Sequence, residues 1–328
     1  MSFNDIIDQQ AVVTILKEEL ESRRISHAYL FTGQEGIGKK TLAFEFAKAL
    51  LCKQKQQDSC NECKDCKKID HSNHPDVKFI KTEEDSNNIK IDQIRELQRE
   101  IVYKPYETNW KVYIIDEADN MTLEAANSLL KTLEEPPDYA VIILLAEEMS
   151  QLLPTVISRC QEIRLKNISR EMIKAYLVEH GIKENKAGLY SRMAKGSLGL
   201  ALELTNDEEF LNYRREVLDF LVELPGANTV DIFNKIEEME KILSSGFPFF
   251  NLISSWYRDI IINKKGNQNQ VVNYDYLEDI TKQVEKYDIK ELLAIIKLIN
   301  KYESYIERNV RKGLTLQVLL LKIRSKRV

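Results

Sequence analysis

The chain reads as an α/β domain built on a parallel sheet, followed by a small helical module and an all-helical C-terminal domain. Three observations lead there. Up to about residue 165, short apolar or β-branched runs alternate with helical patterns, the arrangement that places helices on both faces of a parallel sheet. Beyond about residue 166 the strand signals fade and helical spacing takes over. Gly and Pro are scarce, 11 and 7 in 328 residues, which favours long helices over a loop-rich or all-β architecture. The expected domains are residues 1–165, 166–206 and 207–328.

Within the first domain, Val12, Val13, Leu16 and Leu20 recur at helical spacing over residues 9–22. Ala28-Tyr29-Leu30-Phe31 is a short buried strand that stops at Thr32-Gly33. Thr41 to Leu51 is apolar on most sides, hence a buried helix. Val77 to Ile80 reads as a strand, and Ile91, Ile94, Leu97 and Ile101 define an amphipathic helix ending near Val102. Lys111 to Ile115 is β-branched and aromatic, and so a strand. Thr122 caps a helix that runs to Glu135, where Pro136-Pro137 stops it. Val141 to Ala146 is a further buried strand. Helices are expected near 169–180, 184–195 and 197–204 in the small module. Five or six long helical patterns then follow, punctuated by Pro225-Gly226, Gly246-Phe247-Pro248 and the polar stretch Lys264 to Gln270.

A net charge of −5 excludes a free-standing, strongly basic DNA binder. Lys90, Arg95 and Arg99 are local candidates for DNA contact, with a solvated helix face as an alternative of no less weight. The apolar run Val141 to Ala146 is far short of the ~20 residues that span a bilayer. The N-terminus lacks a basic region and an apolar signal core, so a cytoplasmic location is expected. In that reducing compartment clustered cysteines hold metal more often than they form disulfides.

Gly33-Gln34-Glu35-Gly36-Ile37-Gly38-Lys39-Lys40-Thr41 follows a strand and opens a helix, the setting of a phosphate-binding loop. Glycines let backbone N–H groups converge on phosphate oxygens, and the helix N-terminus adds a favourable dipole. Lys39 stands where it reaches β- and γ-phosphates. The next position ordinarily carries a Ser or Thr hydroxyl for Mg²⁺, but here it is Lys40, whose charge opposes the ion. Thr41 is one residue late and about 100° further round the helix. The strand 111–115 delivers Asp116, suited to hold Mg²⁺ through water, and Glu117, suited to polarise an attacking water. Together these residues form a degenerate nucleotide site for ATP or ADP.

Cys52, Cys60, Cys63 and Cys66 follow a C-x7-C-x2-C-x2-C pattern within a polar segment that has almost no core of its own. Thiolates so spaced converge on one ion, and the expectation is a structural zinc module at 52–66 with no open coordination position. An iron–sulfur cluster is the alternative for four thiolates, and His71 or His74 could replace a cysteine.

His27-Ala28-Tyr29-Leu30-Phe31, the phosphate loop, the four-cysteine insert, Asp116-Glu117-Ala118-Asp119, the run from Asn127 to Pro137 and Ser158-Arg159-Cys160 occur in this order. The set closely resembles the clamp-loader branch of the AAA+ ATPases across residues 1–205. The C-terminal helices fit that family's oligomerising collar without a sharp motif. The resemblance implies an AAA+ domain, a helical lid and a collar, and partners in a DNA-directed DNA polymerase holoenzyme. Those partners are the ATP-hydrolysing gamma or tau subunits, a delta subunit and, through the complex, the sliding clamp and primed DNA. The departures decide the subunit type. Lys40 replaces the magnesium-ligating hydroxyl, Glu147 stands at the first sensor, and Gly199 replaces the second-sensor arginine in Gly196-Ser197-Leu198-Gly199. Ser158-Arg159-Cys160 is intact, and in this family its arginine reaches into a neighbour's ATP site. This pattern resembles the non-hydrolysing delta-prime type, with no independent ATPase. A gamma-like ATPase using Thr41 or water for Mg²⁺, and a AAA+ adaptor outside the replisome, are the alternatives.

Overall fold

The computed structural model describes residues 1–54, 57–83, 86, 88–308 and 310–325. Lys55 and Gln56 of the polar insert, and Asn309 and residues 326–328 of the last domain, lie outside the described residues.

The N-terminal part runs α1 (Gln10–Ser22), β1 (Ala28–Thr32), α2 (Lys39–Leu51), α3 (Lys64–Asp70), β2 (Val77–Ile80), α4 (Ile91–Ile101), β3 (Lys111–Ile115), α5 (Leu123–Glu134), β4 (Ala140–Ala146), α6 (Pro154–Ile157), β5 (Gln161–Arg164) and α7 (Arg170–Glu179). The strands form a parallel five-stranded sheet ordered β2-β3-β4-β1-β5. Alternation sorts its side chains. Tyr29, Phe31, Val112, Ile114, Val141 and Ile143 pack with Leu16, Leu42 and Phe46. Ala28, Leu30, Ile115, Ile142 and Leu144 pack with Ile94, Leu97, Ala125 and Leu129. The central strands β1, β3 and β4 are therefore buried throughout, as continuous apolar runs require. The polar four-residue strand β5 carries almost no sequence signal and exists as an edge beside β1. The short α3, which begins at the end of the cysteine insert, is likewise invisible to hydrophobic periodicity.

The chain divides into two compact units, one comprising Met1–Glu179 with Ala194–Ala201, the other His180–Met193 with Leu202–Val328. The segment read as a lid contributes to both: α7 and the start of α9 (Leu198–Asn206) belong to the first, and α8 (Glu184–Met193) to the second. The second unit contains α10 (Glu208–Glu223), α11 (Thr229–Ser244), α12 (Phe249–Lys264), α13 (Leu277–Val284), α14 (Ile289–Glu307) and α15 (Lys312–Ser325). Its core centres on Trp256, Ile260, Leu292, Ile295, Leu316 and Leu320. Buried Asp259 accepts the backbone N–H groups of Val272 and Asn273, and Arg214 forks onto Asp275 at 2.6 and 2.7 Å. These bonds hold the irregular 271–276 segment on α10 and α12. Among the described residues no helix is long and apolar enough to cross a membrane.

Candidate functional site

Parallel strands of this order open a crevice at their carboxyl ends. Thr32 pairs with Ala146 and Ile115 with Leu144, so Gly33, Glu147 and Asp116 leave the sheet side by side. Gly33 N–H is bonded to Ala146 O at 3.3 Å. The phosphate loop thus has the expected strand–loop–helix setting, with Gly38 at φ 104° capping α2.

The loop's groups are largely engaged with the chain itself. Lys39 Nζ donates to the carbonyl oxygens of Gly33 (2.5 Å) and Gln34 (3.1 Å). Burial pushes its pKa down, against the pull of Glu147, Asp119, Asp116 and Glu35. Lys40 Nζ lies 3.8 Å from Asp116 Oδ2 and 4.2 Å from the centre of the Phe79 ring. An ammonium therefore faces the carboxylate suited to hold Mg²⁺. Burial raises the Asp116 pKa, opposed chiefly by Lys40. Thr41 is half-buried on the first turn of α2. Glu117 adopts a left-handed φ of 51° and accepts a bond from Thr82 Oγ1 at 3.1 Å. Asp119 accepts the Glu147 N–H at 2.9 Å, and burial raises the Glu147 pKa.

The loop is also contacted by residues 195–200. Gly199 N–H donates to Gly36 O at 2.8 Å, and Gln34 Nε2 donates to Lys195 O at 3.2 Å. A Cβ on Gly199 would lie 2.7 Å from Gly36 Cα and 2.9 Å from Gly36 O. Gly36 has φ 68°, and a Cβ there would meet Ser197 Oγ at 2.4 Å. Two residues without side chains let the two backbones touch. Gly199, which the sequence reading set at the second-sensor position, here sits directly on the Gly33–Lys39 loop.

Arg159 follows α6 and engages α5 and α6. Its Nη2 lies 2.6 Å from Glu134 Oε1, and Nη1 donates to Thr155 O at 2.9 Å. It stays one-third exposed. Cys160 packs beside the α4/α5 core, and burial pushes its thiol up to about 12. Lys90 and Arg95 are paired with Glu83 and Asp92, at 2.8 and 3.3 Å.

The Sγ atoms of Cys52, Cys60, Cys63 and Cys66 all lie within 4.8 Å of one another. Cys60 and Cys66 are 3.9 Å apart, against about 3.8 Å for two thiolates bound tetrahedrally to zinc. Cys63 N–H points at Cys60 Sγ (3.3 Å) and Cys66 N–H at Cys63 Sγ (3.4 Å), the polarity that thiolate ligands need. Burial raises Cys60, but the N–H groups of Glu62 and Cys63 and neighbouring thiols outweigh it and bring its pKa down to about 6. Burial pushes Cys66 up. The donor set fits a structural metal ion. The insert is docked through fully buried Lys48, whose Nζ reaches Met1 O, Asn61 Oδ1, Asp70 Oδ1 and Glu45 Oε1 within 2.7–2.9 Å.

His71 is exposed and His74 belongs to the turn before β2. Asp65, His74 and Glu107 also offer ligand atoms within 4.8 Å of one another, but their chemistry opposes a metal. His74 Nδ1 accepts the Asp76 N–H at 3.1 Å, so the proton sits on Nε2, which faces Asp65 at 3.5 Å. Both Glu107 oxygens are taken by Lys68. Sequence reading missed Asp76, which is fully buried and accepts the N–H groups of Tyr106, Glu107 and Thr108. Burial alone would raise its pKa, and these three donors hold it below the ordinary aspartate value. No local pattern marks it, because its partners lie some thirty residues away.

A family model described as DNA polymerase III, delta subunit, matches residues 8–169, and one described as DNA polymerase III, delta subunit, C terminal, matches 208–325. The DNA polymerase III subunit delta' of Bacillus subtilis is 31% identical over 96% of this chain and 96% of its own length. The tau subunit of the same organism is 28% identical over 98% of this chain, which spans 61% of that protein. A solved DNA polymerase III gamma subunit-related protein from Thermotoga maritima covers 98% of this chain and is itself covered completely. Its TM-score of 0.51 and 21% identity indicate a shared fold.

Proposed function

Because the chain belongs to the DNA polymerase III delta-prime family, we propose that it serves as a clamp-loader subunit that supplies Arg159 to a neighbour's ATP site and does not turn over ATP itself. The observation that carries the second half is the Gly199–Gly36 backbone contact beside a Lys39 bonded to its own loop. An incoming phosphate competes with those carbonyl oxygens for Lys39, the Gly199 contact ties down the loop backbone, and Lys40 opposes the Mg²⁺ that would accompany it. Gly33, Gly36, Gly38, Lys39, Asp116 and Glu117 are then a nucleotide site retained as a framework. Partner contact runs through residues 207–328 as a collar, with gamma or tau and delta subunits adjoining, and the sliding clamp and primed DNA engaged by the whole complex. Cys52, Cys60, Cys63 and Cys66 hold a zinc ion that organises the insert.

In the assembled complex, a guanidinium delivered in trans neutralises equatorial phosphate oxygens as the γ-phosphoryl group transfers, an effect worth ~10³-fold or more in rate. Partial exposure of Arg159 and its place on the α6–β5 connection support that role. The test is single-turnover, DNA- and clamp-stimulated hydrolysis by the reconstituted complex. Arg159→Ala is expected to slow the adjoining site while leaving metal content and assembly intact. Wild-type rates at every resolvable site would exclude the trans role.

A further inference from the structure

We propose that Glu134 is a positioning residue for Arg159, holding the guanidinium in the orientation in which a neighbouring subunit's γ-phosphate meets it. This rests on the trans role of Arg159 proposed above. Arg159 leaves the main chain in a tight turn, its N–H bonded to Val156 O at 3.1 Å just after the four-residue α6. An arginine side chain carries large rotamer freedom, and a turn does not restrain it. Two anchors do. Nη1 donates to Thr155 O at 2.9 Å and lies 3.5 Å from Ser158 Oγ, while Nη2 meets Glu134 Oε1 at 2.6 Å. Thr155 and Ser158 belong to the arginine's own turn, so Glu134 on α5 is the contact that ties the guanidinium to the body of the domain.

The anchors leave a usable edge. Nε–H and one N–H of Nη2 have no partner among the described residues, and free guanidinium N–H groups are what phosphate oxygens accept. Glu134 is also oddly placed for a folding role. It is the last residue of α5, where the helix dipole disfavours a carboxylate. Its side chain is half exposed and that of Arg159 one-third exposed, so the pair adds little to folding. A pair of small structural value, at a helix end that prefers a cation, fits selection for where the guanidinium points.

The experiment uses the complex reconstituted from the full chain, the ATPase and delta subunits, the clamp and primed DNA. Glu134→Ala is expected to slow single-turnover hydrolysis at the adjoining site by about 10–100-fold, the scale of a misplaced catalytic group. ATP affinity there and subunit assembly should be unchanged. Glu134→Gln keeps an acceptor oxygen and should retain most of the rate. In an Arg159→Ala background, Glu134→Ala should have no further effect. In the isolated chain, guanidinium NMR should show hindered Nη rotation for a signal that Arg159→Ala removes and Glu134→Ala frees. Four results would overturn the proposal: wild-type rates in Glu134→Ala, a faster rate (the carboxylate then competes with phosphate), a loss that persists without Arg159, or unaltered guanidinium rotation. If Arg159→Ala is slow while Glu134→Ala is not, only this inference fails. If Arg159→Ala is itself neutral, the trans role fails and this inference with it.

Discussion

Gly199→Ala tests whether backbone contact with residues 195–200 closes the phosphate loop. The added methyl would sit 2.7 Å from Gly36 Cα and 2.9 Å from Gly36 O, where carbon contacts settle at about 3.5–4.0 Å. The two backbones must part by about 1 Å. That weakens the Gly199 N–H to Gly36 O bond, worth about 1 kcal/mol, and adds overpacking strain of about 1–3 kcal/mol. At the lower end of that sum, a net loss of about 2 kcal/mol lowers the melting temperature of a unit this size by about 4–8 °C. The same 2 kcal/mol bears on nucleotide. If the wild-type loop must unlatch before phosphate enters, apparent affinity is reduced by the unlatched fraction. Releasing the latch then raises affinity for a fluorescent ATP analogue by up to about 30-fold. Hydrogen exchange at the Gly199 amide should rise in parallel. A variant that melts with wild type, protects that amide equally and binds the analogue no better would refute the latch. The nucleotide site would then owe its character to Lys40, Glu147 and the absent arginine side chain at position 199.

Further outcomes follow from the other sites. Metal-replete protein is expected to carry one zinc per chain by elemental analysis, and Cys63→Ser to lose it. Chelation should also raise exchange at the Phe3 amide, which is bonded to Asp58 of the insert at 3.1 Å. Asp76→Asn is expected to cost about 2–3 kcal/mol in denaturant titrations, because buried N–H donors lose a charged acceptor. Its folded pKa lies below the unfolded value of about 3.9, so that stabilisation is complete above this pH. It is lost as pH falls through the folded value, and the difference between wild type and variant should vanish in acid. Deletion of residues 207–328 is expected to abolish co-elution with the partner ATPase in size-exclusion chromatography, and normal co-elution would exclude the collar role.

Much of the fold was legible because it is local. Alternating apolar runs marked β1, β3 and β4, helical spacing marked α1 and α4, and Thr122 with Pro136-Pro137 bracketed α5. The edge strand β5 was not, since its polar residues become a strand only by pairing with β1. The same division runs through the candidate sites. Sequence spacing alone was enough to propose a four-thiolate cluster and a phosphate loop with a lysine at the magnesium position, because each is written within a few consecutive turns of chain. It marked Gly199 as standing in place of an arginine, but could not reveal that the bare backbone there rests on Gly36. The Pro136-Pro137 stop marks the end of the helix that carries Glu134, but nothing local indicates that this carboxylate meets Arg159, 25 residues on. Those contacts join residues distant along the chain, and only the sheet's crossovers and the packing of helices on its two faces bring them together. Local propensity sets which elements form, whereas the partners of a charge or a bare backbone are chosen by the tertiary fold.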